Sequence, residues 1–109
     1  MELFNNHPNF IIQKDIDNSS WFGFSLVIKS NSKLKRKNVV NKLRENKIEC
    51  RSIVAGNFTK NQVIKYFDYE IHNKLVNADL IHNNGFFVGN HHFDIQDKIE
   101  YLYNILGDV

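Results

Sequence analysis

Two short segments of this 109-residue chain carry residue types suited to binding a polar ligand. In the first, CRSIVAGNFTKN (50–61), Arg51 lies among apolar residues and Gly56-Asn57 opens a polar run that includes Lys60. A guanidinium in an apolar strand requires a partner, and an amide and an ammonium at a strand end suit sugar hydroxyls and phosphate oxygens. The second segment, GNHH (89–92), repeats the Gly-Asn pair, and we expect both pairs to line the same side of one sheet.

The other residues that could do chemistry favour structural explanations. Neighbouring residues of an extended segment point in opposite directions, so His91 and His92 make poor co-ligands, and no HxH or HxxxH spacing occurs. We therefore expect no metal site, and a hydrogen-bonding role for one of this pair. Cys50 is the one cysteine, which excludes an internal disulfide and suits a small buried side chain in a cytoplasmic protein. No P-loop, GxGxxG or GxSxG pattern is present, and we expect no catalytic residue.

Cations are concentrated in one stretch, although the net charge of the chain is only +2. Seven of them and a single acid, Glu45, lie between positions 33 and 47. A solvated helix face explains such a cluster, and an interface with nucleic acid or a membrane surface is the functional alternative. The rings of Trp21, Phe22 and Phe24 could stack on bases, but we assign them to core packing. We expect neither nucleic acid nor a membrane as a partner.

The spacing of apolar residues predicts a single α+β domain over residues 1–109. Strict alternation over 21–28 predicts a half-buried strand, and Asn83-Asn84-Gly85 is typical of a helix that ends in a left-handed residue. We expect a two-layer structure in which helices cover a sheet of about three to four strands. The predicted strands are 9–13, 21–28, 48–55 and 85–89, and the predicted helices are 35–46, 61–67, 75–82 and 95–106.

Four segments together resemble the C-terminal small domain of the DegT/DnrJ/EryC1/StrS family, the vitamin-B6-dependent sugar aminotransferases and dehydratases. They follow one another in the family's order and cover nearly the whole chain. Within the family they are most similar to the branch of 3-dehydratases that act on GDP-linked sugars. The segments are SSWFGFSLVIK (19–29), ECRSIVAGNFTKN (49–61), NADLIHNNGFFVGNHHF (77–93) and the closing helix.

The resemblance implies a fold-type-I enzyme that uses pyridoxamine or pyridoxal 5'-phosphate, held by a large domain outside this chain. Such an enzyme removes the C3 hydroxyl of a GDP-linked 4-keto-6-deoxy sugar in O-antigen biosynthesis. The resemblance also implies that the complete enzyme is a cytoplasmic homodimer. Without the large domain, we expect the isolated chain to be inactive. The alternatives are the aminotransferase branch, because the residue that separates the two branches lies outside this chain, and a small nucleic-acid-binding module.

The same resemblance implies which residues meet the substrate, since the small domain of these enzymes closes over the active-site cleft. We expect Arg51, Asn57 and Lys60 to contact the substrate, with Asn90 and His91 as second choices. The strand that carries Phe86 and Phe87 would then bring one of these rings towards the sugar.

Overall fold

Four strands and three α-helices make up the parts of the chain that the computed structural model describes, which are residues 2–14, 21–53, 56–89 and 95–107. The order of strands and α-helices is the predicted one, but two short 3-10 helices, Phe58–Lys60 and Gln62–Tyr66, replace the helix expected over 61–67. A further 3-10 helix, Glu2–Phe4, was not predicted. The strands are β1 (Phe10–Ile12), β2 (Gly23–Ile28), β3 (Cys50–Ser52) and β4 (Gly85–Gly89), and the helices are α1 (Arg36–Glu45), α2 (Val76–Asn84) and α3 (Gln96–Gly107).

The strands form one antiparallel sheet in the order β1-β2-β4-β3. The central pair runs from Gly23 opposite Gly89 to Val27 opposite Gly85, and β3 adds to the outer edge of β4. Strand β3 covers Cys50–Ser52, so it lacks residues 48, 49 and 53 of the predicted 48–55; residues 54 and 55 lie outside the described residues. Side chains alternate across a pleated strand, so β2 and β4 each present one buried face and one outer face.

The core lies between the buried face of the sheet and the helices α1 and α3. Leu26 and Phe86, from the two central strands, are fully buried there. Val39 and Leu43 of α1 and Leu102 of α3 belong to the same cluster of buried apolar side chains. Apolar residues spaced every second position in the strands and about every 3.6 positions in the helices therefore pack into one core. The predicted two-layer α+β fold is confirmed.

The N-terminal segment completes this core with a histidine that the sequence pattern did not single out. His7 is 7% exposed, and its ring lies 5.8 Å from that of Phe4 and 5.0 Å from that of Phe10. Its Nδ1 accepts a hydrogen bond from the backbone N–H of Asn9 at 3.1 Å. Burial, and then the nearby charge of Lys29, lower the pKa of His7, so the neutral ring is the form that the core accommodates.

The aromatic residues at the start of β2 divide between the two faces differently from expectation. Trp21 packs against the core and Phe24 is buried, as predicted. Phe22 is 90% exposed, so its assignment to packing is wrong. The strand begins only at Gly23, and the Phe22 ring instead lies 6.2 Å from that of Phe87. Phe86 is buried in the core, whereas Phe87 is only partly buried.

Gly85 ends helix α2 in a way that the sequence did not predict. Its φ of −88° and ψ of 145° are extended, so the expected left-handed end is wrong. A glycine is needed here because a Cβ atom would lie 2.5 Å from the carbonyl oxygen of Ile81 and 2.9 Å from Cγ1 of Ile53. Helix α2 therefore passes directly into β4, and the tight approach of two backbone segments selects the glycine.

Gly56 and Gly89, the glycines of the two Gly-Asn pairs, lie at opposite ends of the sheet, which corrects the expectation that the pairs line one side; Asn90 falls outside the described residues. Because β3 and β4 are antiparallel, with Cys50 opposite Val88, the chain after β3 runs towards the start of β4. A Cβ on Gly56 would accordingly lie 2.6 Å from Cα of His82 in helix α2. Gly89 is the last residue of β4 and lies at the opposite end of the sheet. The five residues of that strand separate the two ends by roughly 13 Å.

We expect Gly85→Ala to lower the free energy of unfolding by about 1–3 kcal/mol, because the added methyl group must displace backbone atoms. Gly107→Ala is the matched control, since nothing lies within 4 Å of a Cβ at that position. Urea denaturation of the two variants and the parent chain measures the difference. Equal stability of the two variants would show that the close approach at Gly85 is absent in solution.

Candidate functional site

The segment after β3 forms a polar corner, by which we mean Asn57, Thr59, Lys60, Asp79 and His82. Gly56 makes the turn with a φ of 41°, a value that glycine adopts without strain. Asn57 follows and is only 5% exposed. Its Nδ2 donates to Oδ1 of Asp79 at 2.6 Å, and its Oδ1 accepts the backbone N–H of Thr59 at 3.0 Å. Asn57 thus caps the 3-10 helix Phe58–Lys60 and fastens it to α2.

Asp79 is the charged centre of the polar corner. The hydrogen bond donated by Asn57 is the main reason that its pKa lies below the usual range; partial burial opposes this shift and the charge of Lys60 adds to it. Nζ of Lys60 lies 3.5 Å from Oδ1 of Asp79, and both side chains are about half exposed. A carboxylate that accepts a hydrogen bond from an amide and lies beside an ammonium favours its ionised form, so Asp79 holds Lys60 at the surface of the polar corner.

His82 connects the polar corner to helix α1. Its Nδ1 accepts the backbone N–H of Asn57 at 3.4 Å, while its carbonyl oxygen accepts Nη1 of Arg36 at 2.6 Å. The same guanidinium nitrogen lies 3.3 Å from the carbonyl oxygen of Gly85. The last carbonyls of a helix lack partners within the helix, and a cation is favourable at that end. Arg36 therefore satisfies the end of α2 and fixes α1 against it.

Arg51 is a surface residue, so the expectation of a buried guanidinium is wrong. Its side chain is 72% exposed, and Nη2 lies 3.0 Å from Oε1 of Glu49, which is 80% exposed. The reason is the position of β3 at the edge of the sheet, where only Cys50 is buried. Exposed ion pairs of this kind contribute about 0–1 kcal/mol. The guanidinium can consequently exchange Glu49 for a ligand at little cost.

Arg51 also lines a groove that runs between α1, β3 and the junction of α2 with β4. The groove has a volume of about 690 Å³, and its floor includes Cys50 and Phe86. No acid is present among the described residues that line it. We call it the basic groove, and its cations are Lys35, Arg36, Lys37, Arg44 and Arg51.

Three of the five predicted contact residues lie in the part of the chain that the structure describes. Arg51 belongs to the basic groove and Lys60 to the polar corner, and the two features meet at His82, which contacts both Asn57 and Arg36. Asn57 lies there too, but its amide is buried and engaged within the chain. Asn90 and His91 fall outside the described residues.

Sequence reasoning missed Asp79 and His82. The spacing of three residues on helix α2 places them on one face, and this was the available signal. No group of three or more histidine, cysteine, aspartate or glutamate side chains could hold a metal ion within the described parts of the chain. Over the same residues, no helix is long and apolar enough to cross a membrane.

Comparison with known proteins reveals clear relatives, although no protein-family model matches the chain. The GDP-4-keto-6-deoxy-D-mannose 3-dehydratase of Escherichia coli O55:H7 is 48% identical over 107 residues, which are 97% of this chain and 28% of that protein. The enzyme of the same name from Yersinia pseudotuberculosis is 49% identical over 106 residues, or 96% of this chain and 27% of its own length. The chain therefore spans little more than a quarter of these relatives.

Solved structures of the same enzyme superpose on the chain. The E. coli enzyme with bound hydrated PLP gives a TM-score of 0.91 at 48% identity, covering 96% of this chain and 27% of that one. A mutant form with bound GDP-perosamine gives a TM-score of 0.91 at 47% identity, covering 96% of this chain and 28% of that one. The matched part is the C-terminal part of these proteins.

We expect Asn57→Ala to destabilise the chain by about 1–2 kcal/mol, because a buried cap is lost and Asp79 loses its main hydrogen-bond donor. Asn61→Ala is the control, since Asn61 caps the next 3-10 helix by accepting from Val63 but is exposed. Thermal unfolding of both variants measures the difference. A larger loss for Asn61→Ala would contradict the structural role assigned to Asn57.

Stability should also depend on pH through Asp79. Its folded-state pKa lies below the unfolded value, so the stabilisation is fully present above the unfolded value and is lost as pH falls through the folded one. In Asn57→Ala this acid-side loss should shrink, and the pKa of Asp79, followed by NMR titration, should rise towards its usual range. An unchanged Asp79 titration in the variant would refute the link.

Proposed function

Because the chain belongs to the family of the GDP-4-keto-6-deoxy-D-mannose 3-dehydratases, whose C-terminal part it matches, we propose that it is the C-terminal small domain of such an enzyme. The reaction removes the C3 hydroxyl of a nucleotide-linked 4-keto-6-deoxyhexose with pyridoxamine 5'-phosphate as cofactor. The observation that carries this proposal is 48% identity with a TM-score of 0.91 over 96% of the chain. We further propose that the complete enzyme is a cytoplasmic homodimer.

The described residues do not form a site for the cofactor itself. His7 and Asn57 are the buried polar residues among them, and both side chains already accept hydrogen bonds within the chain. Neither a buried lysine for a Schiff base nor a buried carboxylate for the pyridine nitrogen is found in these parts of the chain. We assign the cofactor to the part of the enzyme that this chain does not match, and the chain's own role is to bind and orient the substrate.

Arg51 and Lys60 are the residues proposed to touch the substrate. Both are cationic and exposed, and the partner of each is a single surface carboxylate, Glu49 or Asp79. Charge-assisted hydrogen bonds to phosphate or sugar oxygens can replace or supplement these pairs. Asn57 acts as a positioning residue, because it fixes the 3-10 helix that carries Lys60. Asn90 and His91 remain proposed contacts from outside the described residues.

The surface of the chain supports a role as one domain of a larger protein. Among the described residues, eleven large hydrophobic side chains are exposed, and seven of them lie within residues 58–76, which we call the apolar arm. Tyr66 is 78% exposed, Val76 68% and Phe67 57%. Exposed apolar side chains concentrated in one segment favour a surface that another part of a protein covers. We propose that the cofactor-bearing part of the enzyme covers the apolar arm.

A chimera tests the function directly. We expect this chain to restore activity when it replaces the matching 28% of the E. coli relative, with dehydration of GDP-4-keto-6-deoxymannose followed by chromatography. Arg51→Gln and Lys60→Gln should each lower kcat/KM by about tenfold or more, since a charge-assisted hydrogen bond is worth about 1.5–3 kcal/mol. Lys14→Gln is the control, because Lys14 is exposed and follows β1, the edge strand on the opposite side of the sheet from β3. A folded, PLP-loaded chimera without activity would refute the proposed reaction.

The chimera also tests the apolar arm. We expect Tyr66→Ser and Phe67→Ser to lower the Tm of the chimera by several degrees, because each exchange removes an apolar side chain worth about 1.5–3 kcal/mol when buried. The same exchanges should leave the Tm of the isolated chain unchanged, since both rings are exposed there. Leu3→Ser, an exposed apolar residue far from the arm in sequence, is the control. Equal effects in chimera and isolated chain would rule out a covering partner.

A further inference from the structure

The basic groove carries more positive charge than the carboxylates of the described residues balance. We propose that it binds the diphosphate of the nucleotide-linked substrate, an inference that rests on the proposed function for the identity of the ligand. The proposal follows from four properties of the groove: its uncompensated charge, the fixed orientation of two guanidinium groups, the N-terminal end of helix α1 and its size.

Charge in the groove is not balanced from within the described chain. Lys35, Arg36, Lys37 and Arg44 form no ion pair with any described residue, and the lining residues that the structure describes include no acid. Only Arg51 has a carboxylate partner, the exposed Glu49. Like charges gathered around a concave surface raise the local positive potential, which draws anions. A phosphate-bearing ligand supplies the missing negative charge.

Two arginines of the groove are held in place by backbone oxygens instead of carboxylates. Arg36 donates to the carbonyl oxygen of His82 at 2.6 Å. Nη2 of Arg44 lies 3.4 Å from the carbonyl oxygen of Cys50. A guanidinium has five N–H donors in a planar fork, so one or two carbonyl bonds leave others available. Arginine forks fit phosphate oxygens in bidentate geometry. The fold thus orients these two side chains before any ligand arrives.

The start of α1 adds to the positive end of the groove. Lys35 is the N-cap of this ten-residue helix and provides no side-chain cap, and the first turn contains no acid. Backbone N–H groups at such an end are left without helical partners and favour an anion. Arg36 and Lys37 repel this end of the helix dipole, so a bound phosphate would relieve a local repulsion as well as neutralise side chains.

The size of the groove favours a small anion over a nucleic acid. Its volume of about 690 Å³ lies within the roughly 300–1,000 Å³ typical of small-molecule sites. Apolar Val40 and Phe86 lie on its lining beside the cations, with the amide of Asn83 near the α2–β4 junction. A track for single-stranded nucleic acid would instead combine a long charged stripe with exposed stacking rings. Five of the fourteen lysine and arginine residues of the chain converge on this one concave site.

Binding by the 109-residue chain itself tests the groove without any activity assay. Inorganic pyrophosphate and GDP should bind saturably in calorimetry, and the affinity should fall as salt is raised. Lys37→Gln/Arg44→Gln should weaken both ligands at least tenfold. Lys14→Gln/Lys98→Gln removes the same net charge outside the groove and should leave the affinity within twofold. Amide chemical shifts in the presence of GDP should change along α1, β3 and the end of α2.

Three results would overturn the proposal: equal weakening by both double variants, no binding of GDP or pyrophosphate, or binding of single-stranded RNA alone. In the active chimera, Lys37→Gln/Arg44→Gln should raise KM about tenfold with little change in kcat, as expected for a group that binds the substrate and its transition state equally. An unchanged KM would overturn the assignment to the substrate. An inactive chimera would instead refute the proposed reaction, while calorimetry still decides whether the groove binds a diphosphate.

Discussion

The guanidinium of Arg36 is the interaction on which the arrangement of the candidate site depends. It extends from α1 and donates hydrogen bonds to the carbonyl oxygens of His82 and Gly85. His82 lies in the last turn of α2, and Gly85 is the first residue of β4. His82 in turn accepts the backbone N–H of Asn57 through its ring. One cation therefore links the helix that lines the basic groove, the strand at the centre of the sheet and the turn that carries Lys60. Its charge is directed at backbone dipoles, so it stabilises the fold without a carboxylate.

This arrangement separates structural charges from exposed ones. Asp79 and Asn57 hold the polar corner together, and their hydrogen bond of 2.6 Å is the main cause of the lowered pKa of the Asp79 carboxyl. Lys60 and Arg51 lie at the surface with weaker partners, at 3.5 Å and 3.0 Å. The residues that are firmly fixed are therefore different from those that can exchange partners. A binding surface needs both kinds, because the fixed residues decide where the exchangeable ones point.

Local patterns predicted the elements well, and contacts between distant segments were the part they missed. Alternation in β2 and helical spacing in α1 and α3 report directly which face is buried, so these elements and their core residues followed from sequence. Burial of Arg51 was wrong because apolar neighbours in a strand do not reveal that the strand lies at an edge. The expectation that the two Gly-Asn pairs line one side of the sheet was wrong for a related reason. The positions of Gly56 and Gly89 depend on the direction in which β3 pairs with β4.

The role of single residues was hardest to predict where packing selects them. Gly85 matched the pattern of a left-handed helix end, yet the nearby Ile81 carbonyl and Ile53 side chain are what require it. His7 sits beside the chain's single proline in a polar stretch of sequence, and nothing in its neighbours indicates a neutral ring stacked in the core. The family, in contrast, was identified correctly, because several segments in a fixed order carry information that no single pattern contains.

The direct passage of α2 into β4 has a mechanical consequence. Asn84 is the last residue of the helix and Gly85 the first of the strand, so no flexible residue separates them. The side chain of Asn84 is hydrogen-bonded to the backbone of β2, because its Nδ2 donates to the carbonyl oxygen of Ile28 at 3.0 Å. Any force applied to Lys60 or Asp79 is consequently transmitted to the central strands without a hinge to absorb it. We therefore expect the polar corner, the basic groove and the sheet to move as one rigid unit when the domain moves.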